Sequence, residues 1–168
     1  MSVPKKIWVS IKDYVYIILA VVIIRSFIAT PAIVSGDSMY DTLENGQLVI
    51  INKFIYNFKD ISRFDIVVVK NEIDNDKIIK RVIGLPNETI EYKDNKLYIN
   101  DKLILSNIVF EDTEDFKTTT SSNEYFVMGD NRDVSKDSRM LGNFTKKEIV
   151  GKVNIRIFPF NKIGKVDK

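Results

Sequence analysis

The 168-residue chain contains no histidine and no cysteine, and each absence removes a class of chemistry. Without an imidazole the Ser-His-Asp arrangement cannot be built, and without a thiol neither a cysteine nucleophile nor a thiolate zinc site is available. Hydrolytic chemistry here needs a different base. Missing cysteine also means no disulfides, which suits either a reducing cytosol or an exported protein that never relied on them. Charge of one sign is scarce too: 25 basic against 23 acidic side chains leave +2, no broad electropositive field of the kind that collects on nucleic acid. Nucleic acid is therefore not an expected partner. No internal repeat or low-complexity tract is visible, and 168 residues at 45% hydrophobic composition suffice for one domain with a real core but not for a second large one.

Long apolar runs are scarce as well; the strongest is Tyr14 to Ile24, YVYIILAVVII. It follows Lys5, Lys6 and Lys12 and is shorter than the roughly 20 residues that span a bilayer. Trp8, Tyr14 and Tyr16 suit the interface, Lys12 and Arg25 can snorkel, and Phe27 and Ile28 can stay in lipid, which together extend the run to a single span. The lysines place the amino terminus in the cytoplasm by the positive-inside rule, with everything after Arg25 outside. A cleaved secretory signal and a buried core helix compete with this anchor. The signal is disfavoured because Arg25 directly follows the apolar core and only Ala29-Thr30-Pro31-Ala32, not an A-x-A site, comes next. The expected division is residues 1–29 as cytoplasmic end and transmembrane anchor, and 30–168 as an extracytoplasmic β-rich domain that meets the lipid bilayer through that anchor. Pro31 ends any helix and turns the chain extended.

From Ile33 onward short β-branched runs alternate with turn chemistry. The expected strands are Gln47 to Ile51, Asp65 to Lys70, Ile78 to Gly84, Glu88 to Lys93, Lys96 to Asn100, Leu103 to Leu105, Glu124 to Met128 and Ile149 to Phe158. Asp94-Asn95 reads as a two-residue hairpin turn. Ser106 to Asn123, acidic and then rich in hydroxyls, reads as an exposed loop. The fold class is mainly β, an antiparallel sheet domain behind one amino-terminal helix.

Three segments carry possible chemistry. Ser38, in IVSGDSMYDTL, sits after Gly36-Asp37, which lets the backbone turn sharply and present a hydroxyl and nearby amides; a structural turn serine is the plain alternative. A nucleophile needs a base within hydrogen-bond reach and amide donors for the oxyanion. Lys80 lies in IIKRVIG, on a strand face with Ile78 and Val82 by the period of two. It is either a marginal surface lysine or a desolvated one, and desolvation would lower its pKa into the range of a general base. The run from Phe126 to Arg139, FVMGDNRDVSKDSR, is dense in Asp, Asn, Ser and Arg and reads as a rigid loop that orients a neighbour. It lacks the spacing and terminal glutamate of a calcium loop, so no metal is expected there.

Together these segments resemble the type I signal peptidases of bacteria, membrane-anchored Ser-Lys endopeptidases. The resemblance rests on SGDSMYDTL, RFDIVVV, KRVIGLPNETI, GDNRDVSKDSR and IVGKVNIRIFPFNKIG, in the family's order. The short connection between Lys93 and Glu124 looks like the compact Gram-positive form. By resemblance Ser38 is the nucleophile and Lys80 the general base, Ser135 orients the lysine amine, and Asp137 and Arg139 brace the loop. Arg81, Asp130 and Arg132 look structural. The Ser38 amide would be one oxyanion donor, and Gly36 leaves out the side-chain donor found in some relatives. Asp41 stands where proline is usual, Phe64 where glycine is usual, Asn87-Glu88 for Gly-Asp, and Val134 for asparagine.

The resemblance implies a substrate, the signal peptide of an exported preprotein, added as a β-strand between Ile33–Ser35 and Ile78–Lys80. Shallow pockets of Ile33, Met39, Leu43 and Ile79 would take small side chains at the first and third positions before the cut. No cofactor is implied. A cytosolic self-cleaving Ser-Lys protease related by fold and a non-catalytic, membrane-tethered paralogue are the rival expectations. The membrane anchor and the lack of a DNA-binding module disfavour the first, and retention of Ser38, Lys80 and Ser135 the second.

Overall fold

A computed structural model describes residues 5–23, 29–71, 76–105 and 112–166, with the backbone alone for 5–10 and 23. Helix α1 runs from Lys5–Ile23, and every described side chain from Ile11 to Val22 is exposed. Among the described residues no helix is long and apolar enough to cross a membrane. Ile24, Arg25, Phe27 and Ile28, which complete the expected span, lie outside the described residues, as does the side chain of Trp8.

The described strands are β1 (Ala29–Ile33), β2 (Leu48–Asn52), β3 (Ile66–Asn71), β4 (Asp76–Gly84), β5 (Thr89–Lys93), β6 (Lys96–Ile99), β7 (Lys102–Leu103), β8 (Phe116–Thr119), β9 (Glu124–Met128), β10 (Phe144–Thr145), β11 (Ile149–Phe158) and β12 (Gly164–Lys165), with a one-turn helix α2 at Ser138–Leu141. Eight strands form one antiparallel sheet in the order β1-β2-β11-β3-β4-β9-β10, with β12 beside β11, and four form a smaller one, β7-β6-β5-β8. All eight expected strands exist, with boundaries shifted by at most two residues. The Asp94-Asn95 turn is a two-residue hairpin with both residues at positive φ, 50° and 58°, joining Lys93 to its partner Lys96.

The expected loop over Ser106–Asn123 is corrected in its second half. Phe116–Thr119 is strand β8, paired with β5 from Tyr92↔Phe116 to Thr89↔Thr119; Ser106–Glu111 lie outside the described residues. The pairing partner supplies what the local hydroxyl-rich sequence does not. At the other end of the chain, Pro31 sits in β1, an edge strand, where a missing N–H is tolerated.

Strand β3 explains how the core is divided. Its run IVVV is buried on both faces: Ile66 and Val68 join Met39, Leu43, Val49, Ile51 and Val153 in one cluster, while Val67 and Val69 join Val82, Val127 and Ile61 in another. Continuous apolar runs of this kind belong to strands covered on both sides. A third cluster, with Ile83, Ile90, Tyr92, Phe126 and Met128, seals the small sheet against the large one.

Strand β4 has two unlike halves. Arg81, Val82 and Gly84 pair with β9 on one side, whereas among the described residues Asp76–Lys80 pair only with β3. Strand β1, at the sheet's end, likewise pairs only with β2 among the described residues. These two open edges bound a cleft of ≈ 300 Å³, lined by Ala32–Gly36 from one wall and Asp76–Ile79 from the other, with Ser38 and Met39 at one part of its lining.

Candidate active site

After β1 the chain is tied back by Val34 N–H to the Gln47 carbonyl (2.8 Å), then turns at Gly36, whose φ of +83° suits glycine. The Gly36 N–H donates to Asn45 Oδ1 (3.1 Å). A tight turn follows, in which Leu43 N–H donates to the Met39 carbonyl (2.7 Å) and Thr42 N–H to the same oxygen (2.9 Å). Met39 and Leu43 are thereby sunk into the first core cluster. Ser38, one residue earlier, is left half-buried beside the cleft.

Lys80 is 2% exposed, so the strand places it as the desolvated lysine rather than the surface one. Its Nζ lies 2.7 Å from Ser38 Oγ, to which the ammonium donates. Burial lowers its pKa to about 8, against the pull of the Asp137 and Asp130 carboxylates and with help from the Arg139 guanidinium. At neutral pH a useful fraction is therefore an uncharged amine beside a hydroxyl. Such a lysine can take the hydroxyl proton.

The next residue, Arg81, is equally buried but fully engaged. Its Nε and Nη2 grip the Asp130 carboxylate at 2.8 and 2.7 Å, Nη1 donates to the Phe64 carbonyl (3.0 Å), and Asp130 also accepts from Thr42 Oγ1 (2.6 Å). This network clamps the serine turn, β4 and the loop after β9 to one another. The loop is fastened again where Asn131 N–H donates to the Ser38 carbonyl (3.1 Å).

Asp137 is wholly buried and organises the rest of that loop. It accepts from Gly129 N–H (3.0 Å) and from Arg139 Nε (2.9 Å) and Nη2 (3.0 Å), and it caps α2. Burial pushes its carboxyl up, but the Arg139 guanidinium and the Gly129 amide outweigh that and hold it below the usual range. Arg139 also donates to the Arg132 carbonyl (2.7 Å). Arg132 in turn reaches the Gly129 carbonyl, Thr113 and the Tyr92 hydroxyl.

Ser135 is buried, and among the described residues its hydroxyl meets no partner at full hydrogen-bond geometry, although it helps to hold the Asp137 carboxyl down; it abuts Gly129, where an added Cβ would collide with Ser135 Oγ and with the Ser38 carbonyl oxygen. The hydroxyl is thus near the nucleophile's backbone but makes no bond to Lys80 Nζ. Of the expected pocket residues, Ile33, Met39 and Ile79 line the cleft. Leu43 is enclosed in the core behind Met39.

Two residues of this site escaped the sequence. Gly129 was one glycine in a loop motif, and its requirement comes from the close approach of two other segments. Thr42 was an unremarked turn residue, and its role comes from the distant Asp130 carboxylate to which its hydroxyl donates. Among the described residues the Ser38 N–H has no acceptor, so it is available to an incoming oxyanion.

Residues 7–158 match the family model described as signal peptidase, peptidase S26. The chain is 38% identical to signal peptidase I S of Bacillus subtilis (strain 168), covering 99% of this chain and 97% of that one. It is 36% identical to signal peptidase IB of Staphylococcus aureus (strain Mu50), with 83% of each chain covered. A crystal structure of a signal peptidase I from Enterococcus faecalis V583 superposes with a TM-score of 0.51 at 34% identity, covering 56% of this chain and 97% of the other.

Proposed function

Because the chain belongs to the signal peptidase family, peptidase S26, and is a serine endopeptidase that removes signal peptides from preproteins, we propose that Ser38 and Lys80 are the dyad that cuts. The observation that carries this is the 2.7 Å approach of the buried Lys80 amine to the Ser38 hydroxyl, with a pKa brought down to about 8. Neutral Lys80 takes the Ser38 proton as Oγ attacks the scissile carbonyl, returns it to the leaving amine, and then activates water to hydrolyse the acyl-enzyme. The Ser38 N–H receives the oxyanion. Ser135, whose buried hydroxyl is not bonded to Lys80 here, orients the lysine amine by turning that hydroxyl toward it once Ser38 is engaged in the reaction, and Asp137 and Arg139 hold the loop that carries it.

The substrate adds as an extended strand between the open edges of β1 and β4, hydrogen-bonding through its main chain. The cleft between two walls that carry no pairing partner on their facing edges among the described residues supports this reading. Small side chains one and three residues before the cut rest on Ile33, Met39 and Ile79, with Leu43 backing Met39. Residues 1–29 anchor the protein in the cell membrane with the amino terminus cytoplasmic, and residues 30–168 form the extracytoplasmic catalytic domain. The row of exposed apolar side chains on α1, from Ile11 to Val22, supports an anchor, and membrane fractionation with and without residues 1–29 tests it.

The decisive experiment is cleavage of a preprotein carrying a small-x-small site, in detergent or lipid. Ser38→Ala should abolish processing while the circular dichroism spectrum stays native. Near-wild-type cleavage by that variant would remove Ser38 from the mechanism.

A further inference from the structure

Away from Ser38 the lining of the cleft changes character. In the β3–β4 register Val68 faces Ile79 and Lys70 faces Lys77, so one face of this ribbon carries an apolar pair and then, two residues further out, a pair of lysines. Val68, Ile79 and Lys77 all line the cleft. Like charges directly opposite one another on neighbouring strands are unfavourable. Lys77 is exposed and its ammonium forms no ion pair among the described residues, so the fold draws nothing from the charge. The adjacent Asp76 also lines the cleft, but strand alternation sends its side chain off the other face, and its carboxylate is folded back to accept the Lys77 N–H (2.6 Å).

Resting on the strand-addition reading above, we infer that Lys77 is a specificity-determining residue for the fifth position before the cut, where it favours an acidic side chain and disfavours a basic one. An added strand keeps the period of its neighbour. If Ile79 serves the first and third positions, the residue two places further along β4 meets the fifth, and the fourth and sixth point to the opposite face. Lys77 touches the incoming chain at a distance from the reacting atoms, so its contribution is to selection among preproteins.

The test uses the full-length protein in detergent and preprotein peptides identical except for Glu, Gln or Lys at the fifth position, with kcat/KM measured for wild type and Lys77→Glu. Wild type should prefer Glu over Lys by about two- to fivefold, the range of an exposed ion pair, and Lys77→Glu should invert the order. The preference should shrink at high salt and be absent when the same charges are moved to the sixth position. An identical Glu-to-Lys ratio in both enzymes, or a preference seated at the sixth position, overturns the inference. N-methylation of the Gln peptide's main chain at the third and fifth positions before the cut keeps the two readings apart, since it removes the bonds of an added strand: lost cleavage there with an unmoved charge ratio overturns the Lys77 subsite alone, and undiminished cleavage overturns strand addition itself.

Discussion

The two halves of β4 hold neighbouring cations that are buried to the same depth and used in opposite ways. Lys80 and Arg81 are each 2% exposed. Arg81, in the half paired on both sides, meets a carboxylate, a hydroxyl and a carbonyl. Lys80, at the start of the open-edged half, has one close partner, the Ser38 hydroxyl. A guanidinium stays charged and so demands full pairing when buried, whereas an amine can shed its proton instead. What separates structural from chemical use along this strand is which cation is left short of counter-charge.

Breaking the open half should have the larger effect on activity. Lys80→Met should lower kcat/KM by about 10³-fold or more, the loss expected when a general base is removed, and Lys80→Arg should do the same because guanidinium does not deprotonate. For the wild type, kcat/KM should rise about tenfold per pH unit in acid, bend near pH 8 and level off above it, since only the neutral amine accepts the proton. A profile flat across that range would argue against Lys80 as base.

Breaking the paired half should act on stability. Arg81→Met leaves the Asp130 carboxylate buried without its counter-ion, a loss of about 3–5 kcal/mol that a urea titration would read. Since Asp130 also holds Thr42, the turn bearing Ser38 should loosen with it. Removing both charges, with Arg81→Met and Asp130→Leu together, should recover part of that loss.

Lys80→Met should move stability the other way. Folded Lys80 loses its proton near pH 8 and the unfolded one near the ordinary 10.5. Below pH 8 both states are protonated and the fold carries a buried charge, a penalty of roughly 3 kcal/mol. Between those values the unfolded state binds more protons, so wild-type stability rises with pH until the penalty is gone. At pH 7 the methionine variant, which also loses one hydrogen bond, should therefore be more stable by about 2 kcal/mol, with the gain vanishing above pH 10.5. Neighbouring substitutions of one strand, one stabilising and one destabilising, would be a sharp test of the contrast.

Much of this was legible in the residues, for identifiable reasons. The run from Ile78 to Gly84 and the Asp94-Asn95 turn declare themselves by period and turn chemistry, because local sterics decide them. Strand β8 did not: its only large apolar residue is Phe116, and the rest is held by the β5 edge. Missing histidine and cysteine pointed toward lysine as base, but a separation of 42 residues between Ser38 and Lys80 says nothing of contact, and resemblance rather than physics joined them. The Arg81–Asp130 clamp and the need for glycine at 129 arise where three distant segments converge, and no local pattern reports that.

Phe64 offers the finest probe of how the paired half of β4 is supported. Its φ is +70°, a region that disfavours a bulky side chain by about 1–2 kcal/mol. Its backbone serves β4 directly, donating to the Val82 carbonyl (2.7 Å) and accepting from Arg81 Nη1, while the ring packs on the third core cluster. Phe64→Ala keeps the strained backbone and loses the ring, so both terms act against it. Phe64→Gly loses the ring but releases the strain, offset in part by the freedom glycine gains when unfolded. Glycine should therefore be the better tolerated of the two by about 1 kcal/mol, the reverse of the usual order, in paired thermal melts. If alanine proves the more stable variant, the left-handed conformation at 64 is not what the β4 support requires.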